Sequence, residues 1–233
     1  MDELPSQLAL VPDSQSFPTR CCGLDEVGRG ALAGPLVAAA VILPERFAEH
    51  LGALAPFLRD SKTVPAPRRA ALAERIHELA LAVELVAIAV PLINRYGIGW
   101  ANREAFRRLI SQLDADEYVV DGRVRPPAPP ERQARVRCLV KADALVPAVS
   151  AASLVAKVYR DTLMRELHER HPAFAWNKNA GYGTPAHLAA LREHGPCVEH
   201  RTLFVTTALL GGQKARRERK VVAQAALLVD ANI

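Results

Sequence analysis

Two adjacent acids, Asp25 and Glu26, interrupt the apolar run Cys21 to Val27, a stretch that otherwise suits a buried strand. Strand interiors disfavour Asp, and a carboxylate among apolar neighbours is costly unless it is paired, protonated or bound to a cation. A glycine-rich turn, Gly28 to Pro35, follows, and then a second apolar run, Leu36 to Leu43. Such an opening predicts a strand pair with chemistry at its turn. In Gly28-Arg29-Gly30 the backbone amides can approach a ligand with no Cβ in the way. The glycines do not form a dinucleotide fingerprint, because their spacing is G-x-G-x-x-x-G, no helical pattern follows, and the preceding acids would repel a phosphate.

Further on, strands alternate with helices. Pro67 to Ala82 places Leu72, Ile76 and Leu79 on one face and predicts an amphipathic helix with proline in its first turn. Val83 to Val90 reads as a strand, Gly99 to Leu113 as a helix, Tyr118 to Asp121 as a buried strand ending on an acid, and Arg135 to Lys141 as another strand before Asp143. Four prolines between Arg123 and Gln133 predict an exposed loop. A helix is expected from Pro147 to about His171, and a shorter one from the Thr184-Pro185 cap. The pattern is α/β, a mixed sheet flanked by helices. Domain organisation is read as a tail over 1–19, one catalytic domain over 20–210, and a basic tail or helix over 211–233 that forms a C-terminal helical extension.

The chain has 30 Lys and Arg against 25 Asp and Glu, a net charge of +5, which favours phosphate-bearing polymers without demanding them. Cys21, Cys22, Cys138 and Cys197 lack zinc-ligand spacing and are too few for a disulfide scaffold, so a reducing, cytoplasmic location is expected. No apolar stretch reaches the roughly 18 residues of a membrane span, and the first 19 residues do not resemble a secretory signal.

Asp25, Glu26, Asp121 and Asp143 all fall in strands or just past them. Taken singly, Asp121 and Asp143 read as readily as turn or cap residues. Taken together, the four suit hard divalent ions such as Mg2+ or Mn2+, which prefer carboxylate oxygens and retain water for a phosphate substrate. Two such ions, roughly 3.5 to 4 Å apart, could serve phosphodiester hydrolysis.

The run Cys22 to Gly30, continuing through Ala33-Gly34-Pro35 to Leu43, closely resembles the opening of bacterial ribonuclease HII, the type 2 ribonuclease H. Asp60-Ser61-Lys62, Val120-Asp121-Gly122, Lys141-Ala142-Asp143, Ala151 to Val158 with Arg160-Asp161, Gly181-Tyr182-Gly183-Thr184 and His200-Arg201 resemble that family's later motifs, in order. The resemblance spans about Cys21 to Phe204 and implies a ribonuclease H-like fold. It makes Asp25, Glu26, Asp121 and Asp143 one catalytic metal site for Mg2+ or Mn2+. It assigns Gly28, Arg29 and Gly30 to the ribose 2′-hydroxyls, and Tyr182 to the sugar of the adjoining deoxynucleotide. Ser61, Lys62 and Lys157, with Lys178, become candidate phosphate contacts. His187 and His200 are expected to be structural.

The implied activity is hydrolysis 5′ to ribonucleotides in RNA·DNA hybrids and in ribonucleotide-containing duplex DNA, by a monomer with no membrane partner. A sliding clamp is not readable. A noncatalytic duplex-binding module of the same fold is the alternative. The sister family, ribonuclease HIII, carries an additional N-terminal substrate-binding domain, for which the stretch before Cys21 is too short.

Overall fold

The structure, a computed structural model, describes residues 20–51 and 65–210. Five strands form one sheet: β1 (Cys21–Val27), β2 (Leu36–Ile42), β3 (Ala82–Ile88), β4 (Glu117–Asp121) and β5 (Val136–Leu139), in the order β3-β2-β1-β4-β5. The three N-terminal strands run antiparallel as a meander. β4 and β5 join β1 in parallel, so the sheet is mixed as expected.

Ten helices accompany the described strands: α1 (Phe47–His50), α2 (Ala66–Leu79), α3 (Val90–Tyr96), α4 (Ile98–Gln112), α5 (Pro130–Gln133), α6 (Ala142–Leu145), α7 (Pro147–Arg170), α8 (Trp176–Asn179), α9 (Pro185–His194) and α10 (Thr202–Leu210). Every residue of β2 is buried, as a strand covered on both faces must be. On one face Leu24, Ala38 and Ala40 pack against Phe106, Leu109 and Ile110 of α4. On the other, Val37, Ala39 and Val41 meet Leu72 and Ile76 of α2 and Ala151 to Ala156 of α7. A third cluster joins Leu32 and Ala33 to Met164, Trp176, Leu191 and Val205 at one end of the sheet. Among the described residues no helix is long and apolar enough to cross a membrane.

Several local features depart from the sequence pattern, among them α3, which begins at Val90 where the strand reading ended. The stretch 123–133 is not loop throughout, because its end winds into α5. Pro130 occupies the first turn, where its missing N–H has no partner to lose, and Arg132 donates to the carbonyl of Leu113 at 2.9 Å. Asp143 lies in the single turn of α6 rather than in a plain loop. Residues 202–210, outside the expected elements, form α10. The readings of residues 1–19 and 211–233, and of Ser61 and Lys62, lie outside the described residues.

The long helix α7 delivers Ser153 and Lys157 to the sheet by resting directly on β1. A Cβ at Gly23 would stand 2.2 Å from Val149 N and from the carbonyl carbon of Ala148. Backbone on both sides leaves nothing flexible to move. Gly23→Ala should therefore lower stability by about 3 kcal/mol, as core overpacking does. For a domain of this size that is roughly 6 to 12 °C in Tm. Thermal unfolding checks it, and an unchanged Tm would contradict the close approach of α7 to β1.

Candidate active site

The acids meet because of strand direction. β1 and β4 run parallel with Leu24 opposite Val120, so Asp25 and Asp121 arrive side by side at the carboxyl ends of both strands. Crevices beyond such ends are the usual ligand sites of parallel sheets. Here Asp25, Glu26 and Asp121 line a cavity of about 330 Å3 together with Val27, Arg69, Ser153, Leu154 and Lys157.

Asp25 is buried, only 8% exposed. Desolvation pushes its carboxyl up to about 7, opposed by a hydrogen bond from Ser153 and reinforced by the neighbouring charges of Glu26 and Asp121. One of its oxygens accepts the amide of Glu26 at 2.8 Å. Burial also raises the Glu26 carboxyl, against the pull of Arg29, whose guanidinium lies 3.5 Å away. Asp121 accepts the N–H of Ala142 at 2.9 Å, which ties β4 to the start of α6. Asp143, the next residue, is half-buried and does not line the cavity. Among the described residues no three His, Cys, Asp or Glu side chains stand ready as a metal-ligand set.

Behind the cavity, residues 28–35 form a loop held from below by two fully buried arginines. Arg201 donates to the carbonyls of Gly28 at 2.7 Å, Arg29 at 3.1 Å, and Gly34 through two nitrogens at 3.0 and 2.8 Å. Arg160 reaches Pro35 at 3.0 Å, Ala33 at 3.1 Å and Ala180 at 2.8 Å. Desolvation, with repulsion from Arg160, lowers Arg201 to about 9, which leaves it charged at neutral pH. Gly28 has φ +86°, and a Cβ there would fall 2.1 Å from Arg160 Nε, so glycine is required twice over. Arg29 and Gly30 are exposed at the rim.

The loop also binds the segment that carries Tyr182. Leu32 and Ala33 donate to the carbonyl of Gly181 at 2.8 and 3.2 Å, and the Arg160 guanidinium lies 5.6 Å from the Tyr182 ring centre. The ring is 37% exposed. Lys157, beside the acids, is held by Asp161 at 2.6 Å. Lys178 belongs to a neighbouring groove with Arg165 and Trp176. His187 and His200 are buried away from the acids.

From the sequence, Ser153, Arg160 and Arg201 fall within the quoted motifs but carry no assigned role, and Arg69 is placed only on a helix face. One signal was available: Ala156, Arg160, Met164 and Leu167 recur at helical spacing, and an arginine on that apolar stripe of α7 must find buried acceptors. Nothing in the sequence marked Arg69.

The family model described as ribonuclease HII matches residues 22–207. The ribonuclease HII of Paraburkholderia xenovorans is 43% identical over 183 residues, covering 78% of this chain and 71% of the relative. That of Burkholderia lata is 44% identical over 185 residues, covering 78% and 82%. Among solved structures, the PCNA:RNase HII complex from Archaeoglobus fulgidus contains a chain with TM-score 0.65 and 28% identity, covering 80% of this chain and 94% of that one. Ribonuclease H2 from Pyrococcus horikoshii has TM-score 0.66 at 23% identity, covering 84% and 99%. Bst-RNase HIII in complex with Mn2+ has TM-score 0.60 at 20%, covering 86% and 72%. The mixed sheet and its helices have the ribonuclease H-like fold of these neighbours, and the chain belongs to the ribonuclease HII family.

Proposed function

We propose that this chain is a divalent-metal-dependent endonuclease that hydrolyses the phosphodiester 5′ to a ribonucleotide. It acts on RNA·DNA hybrids and on single ribonucleotides in duplex DNA, and leaves 3′-hydroxyl and 5′-phosphate ends. The task that follows is removal of ribonucleotides from DNA in the cytoplasm, by the catalytic unit 20–210. The observation that carries this reading is the crowding of Asp25, Glu26 and Asp121 at one cavity, where burial raises two of the three carboxyls.

An all-oxygen donor set of three crowded carboxyls, with no His or Cys among them, fits a hard divalent ion better than zinc. Asp25, Glu26 and Asp121, with Asp143 drawn in from α6, are the residues that would hold Mg2+ or Mn2+, in a two-ion arrangement. Bound, the ions supply an activated water and neutralise charge on the leaving oxygen. The protein's own groups do the rest. Ser153 orients the Asp25 carboxylate by hydrogen bonding, and Lys157, steadied by Asp161, offers positive charge to a phosphate at the cavity wall. Ser61 and Lys62 join it as proposed phosphate contacts.

Substrate choice comes from the loops. The inward carbonyls of Gly28 and Arg29 are occupied by Arg201, which fixes the Gly28 to Gly30 backbone for close approach to a ribose, and the 2′-hydroxyl is the group that separates RNA from DNA. Tyr182, partly exposed and backed by Arg160, offers its ring to the sugar of the next deoxynucleotide.

With Mg2+ or Mn2+, the protein should cut a labelled DNA duplex holding one ribonucleotide and an RNA·DNA hybrid, and spare an all-DNA duplex. Binding without cutting would favour a noncatalytic module, and cutting of all-DNA would remove the 2′-hydroxyl from the account. Chelation by EDTA should abolish turnover, and added Mn2+ should restore it. Asp25→Asn and Asp121→Asn should each lower kcat by about 1,000-fold, equivalent to about 4 kcal/mol of transition-state stabilisation. Wild-type rates in either variant would sink the metal-site reading. Tyr182→Ala should reduce the ratio of kcat/KM on the single-ribonucleotide duplex to that on the hybrid by about tenfold, or about 1.4 kcal/mol, while Tyr182→Phe preserves it.

A further inference from the structure

Beneath the Tyr182 segment lies a chain of buried rings that the reaction itself does not use. His187 Nδ1 stands 2.9 Å from the carbonyl of Tyr182, and its Nε2 is 3.1 Å both from Trp176 Nε1 and from His200 Nε2. His200 Nδ1 in turn receives the backbone N–H of Cys197 at 3.0 Å. His187 is fully buried and His200 is 3% exposed.

The partners fix both tautomers. A carbonyl only accepts, so the His187 proton sits on Nδ1, while the indole N–H only donates, so His187 Nε2 is the acceptor. The Cys197 amide likewise leaves His200 with its proton on Nε2, directed at the same His187 nitrogen. A second proton on His187 would face two donors. Both rings are accordingly held below the ordinary histidine range by burial, His200 at about 4, so both are neutral at physiological pH.

This chain supports one half of the tyrosine loop and not the other. The Ala180 and Gly181 half, with φ of 48° and 79°, is anchored independently, by Arg160 on the Ala180 carbonyl and by Leu32 and Ala33 on that of Gly181. The Tyr182 half has its amide on the carbonyl of Asn179, and its own carbonyl accepts from Thr184 N at 2.8 Å and from His187. Thr184 is itself positioned by capping α9 through the His187 amide at 3.3 Å. His187 thus touches the tyrosine's main chain, directly and through Thr184.

We propose that His187, oriented by Trp176 and His200, is a positioning residue that sets the Tyr182 main chain and thereby the preference for a ribonucleotide-to-deoxyribonucleotide junction over a uniform hybrid. This rests on the junction role given to Tyr182 above. His200 is followed directly by Arg201, which clamps Gly28. The ribose-facing turn and the tyrosine are therefore joined through the protein interior by His187, His200 and Arg201.

Two substitutions separate the two ends of the ring. An asparagine amide nitrogen falls near Nδ1 and can donate to the Tyr182 carbonyl, whereas a glutamine amide reaches toward Nε2 and cannot. His187→Asn should keep the junction-to-hybrid ratio of kcat/KM within about threefold of wild type, whereas His187→Gln and His187→Ala should lower it about tenfold with kcat on the hybrid unchanged. Equal ratios in the glutamine and wild-type proteins would overturn the proposal, as would an asparagine variant that loses as much as alanine.

The wild-type protein gives a readout that needs no variant. Nitrogen-15 spectra of the imidazoles should show His187 protonated at Nδ1 and His200 at Nε2, and the opposite tautomer at His187 would overturn the proposal even if every variant failed to fold. Tyr182→Ala run in parallel separates the two layers. If it leaves the ratio unchanged, both readings fall, and if it lowers the ratio while His187→Gln does not, only the role of His187 falls.

Discussion

Two fully buried guanidinium groups need acceptors, and in this fold the acceptors include main-chain carbonyls of the loop that borders the acidic cavity. A buried charge left unpaired is among the most destabilising things a core can contain. Arg160 and Arg201 avoid that state only while residues 28–35 keep one conformation, because their planar forks demand carbonyls at fixed places. The loop therefore gains its order from the arginines' need for partners. The same contacts explain why Gly28 and Gly34 have no room for side chains, with Arg160 and Met164 filling the space a Cβ would take.

The acids obey a different constraint. Asp25, Glu26 and Asp121 are brought together by the register of β1 and β4, and their mutual repulsion is tolerated because strands packed on both faces cannot part. Burial holds the Asp25 carboxyl near 7, and a cation held beside it would favour the ionised form. Asp143 lies on the one-turn helix α6, whose first residue, Ala142, donates its amide to Asp121.

What the sequence showed and hid follows from which forces are local. The strands around Asp25 and Asp121 were legible because buried strands leave continuous apolar runs, and α2, α4, α7 and α9 because period, caps and prolines agree. The turn at Pro130 was hidden by reading proline as a breaker where it starts a helix. Asp25 and Glu26 stood out because they break a local rule. Arg201 did not, because nothing near it in the sequence distinguishes it from an arginine in water, and Arg160 was marked only by its place on the apolar stripe of α7. The acids were thus visible as local conflict, while the means of holding the loop 28–35 was visible only once the chain had folded.

These two foundations draw on largely separate contacts, joined at the Arg29–Glu26 pair at 3.5 Å. Changes on β1 and β4 alter the carboxylates without disturbing the loop, whose support comes from α7, the Gly181 segment and Arg201. Changes in the ring cluster of Trp176, His187 and His200 leave the acids alone, since that cluster packs at the far end of the sheet with Phe174 and Trp176 stacked 5.2 Å apart. The acids and the loop therefore rest largely on different contacts. Arg160, with Met164 beside it, touches both the Gly34-Pro35 end of the loop and the tyrosine's segment. Replacement there by lysine would supply one point charge where three carbonyls at fixed angles are waiting, so its loss would be felt in recognition and in stability together.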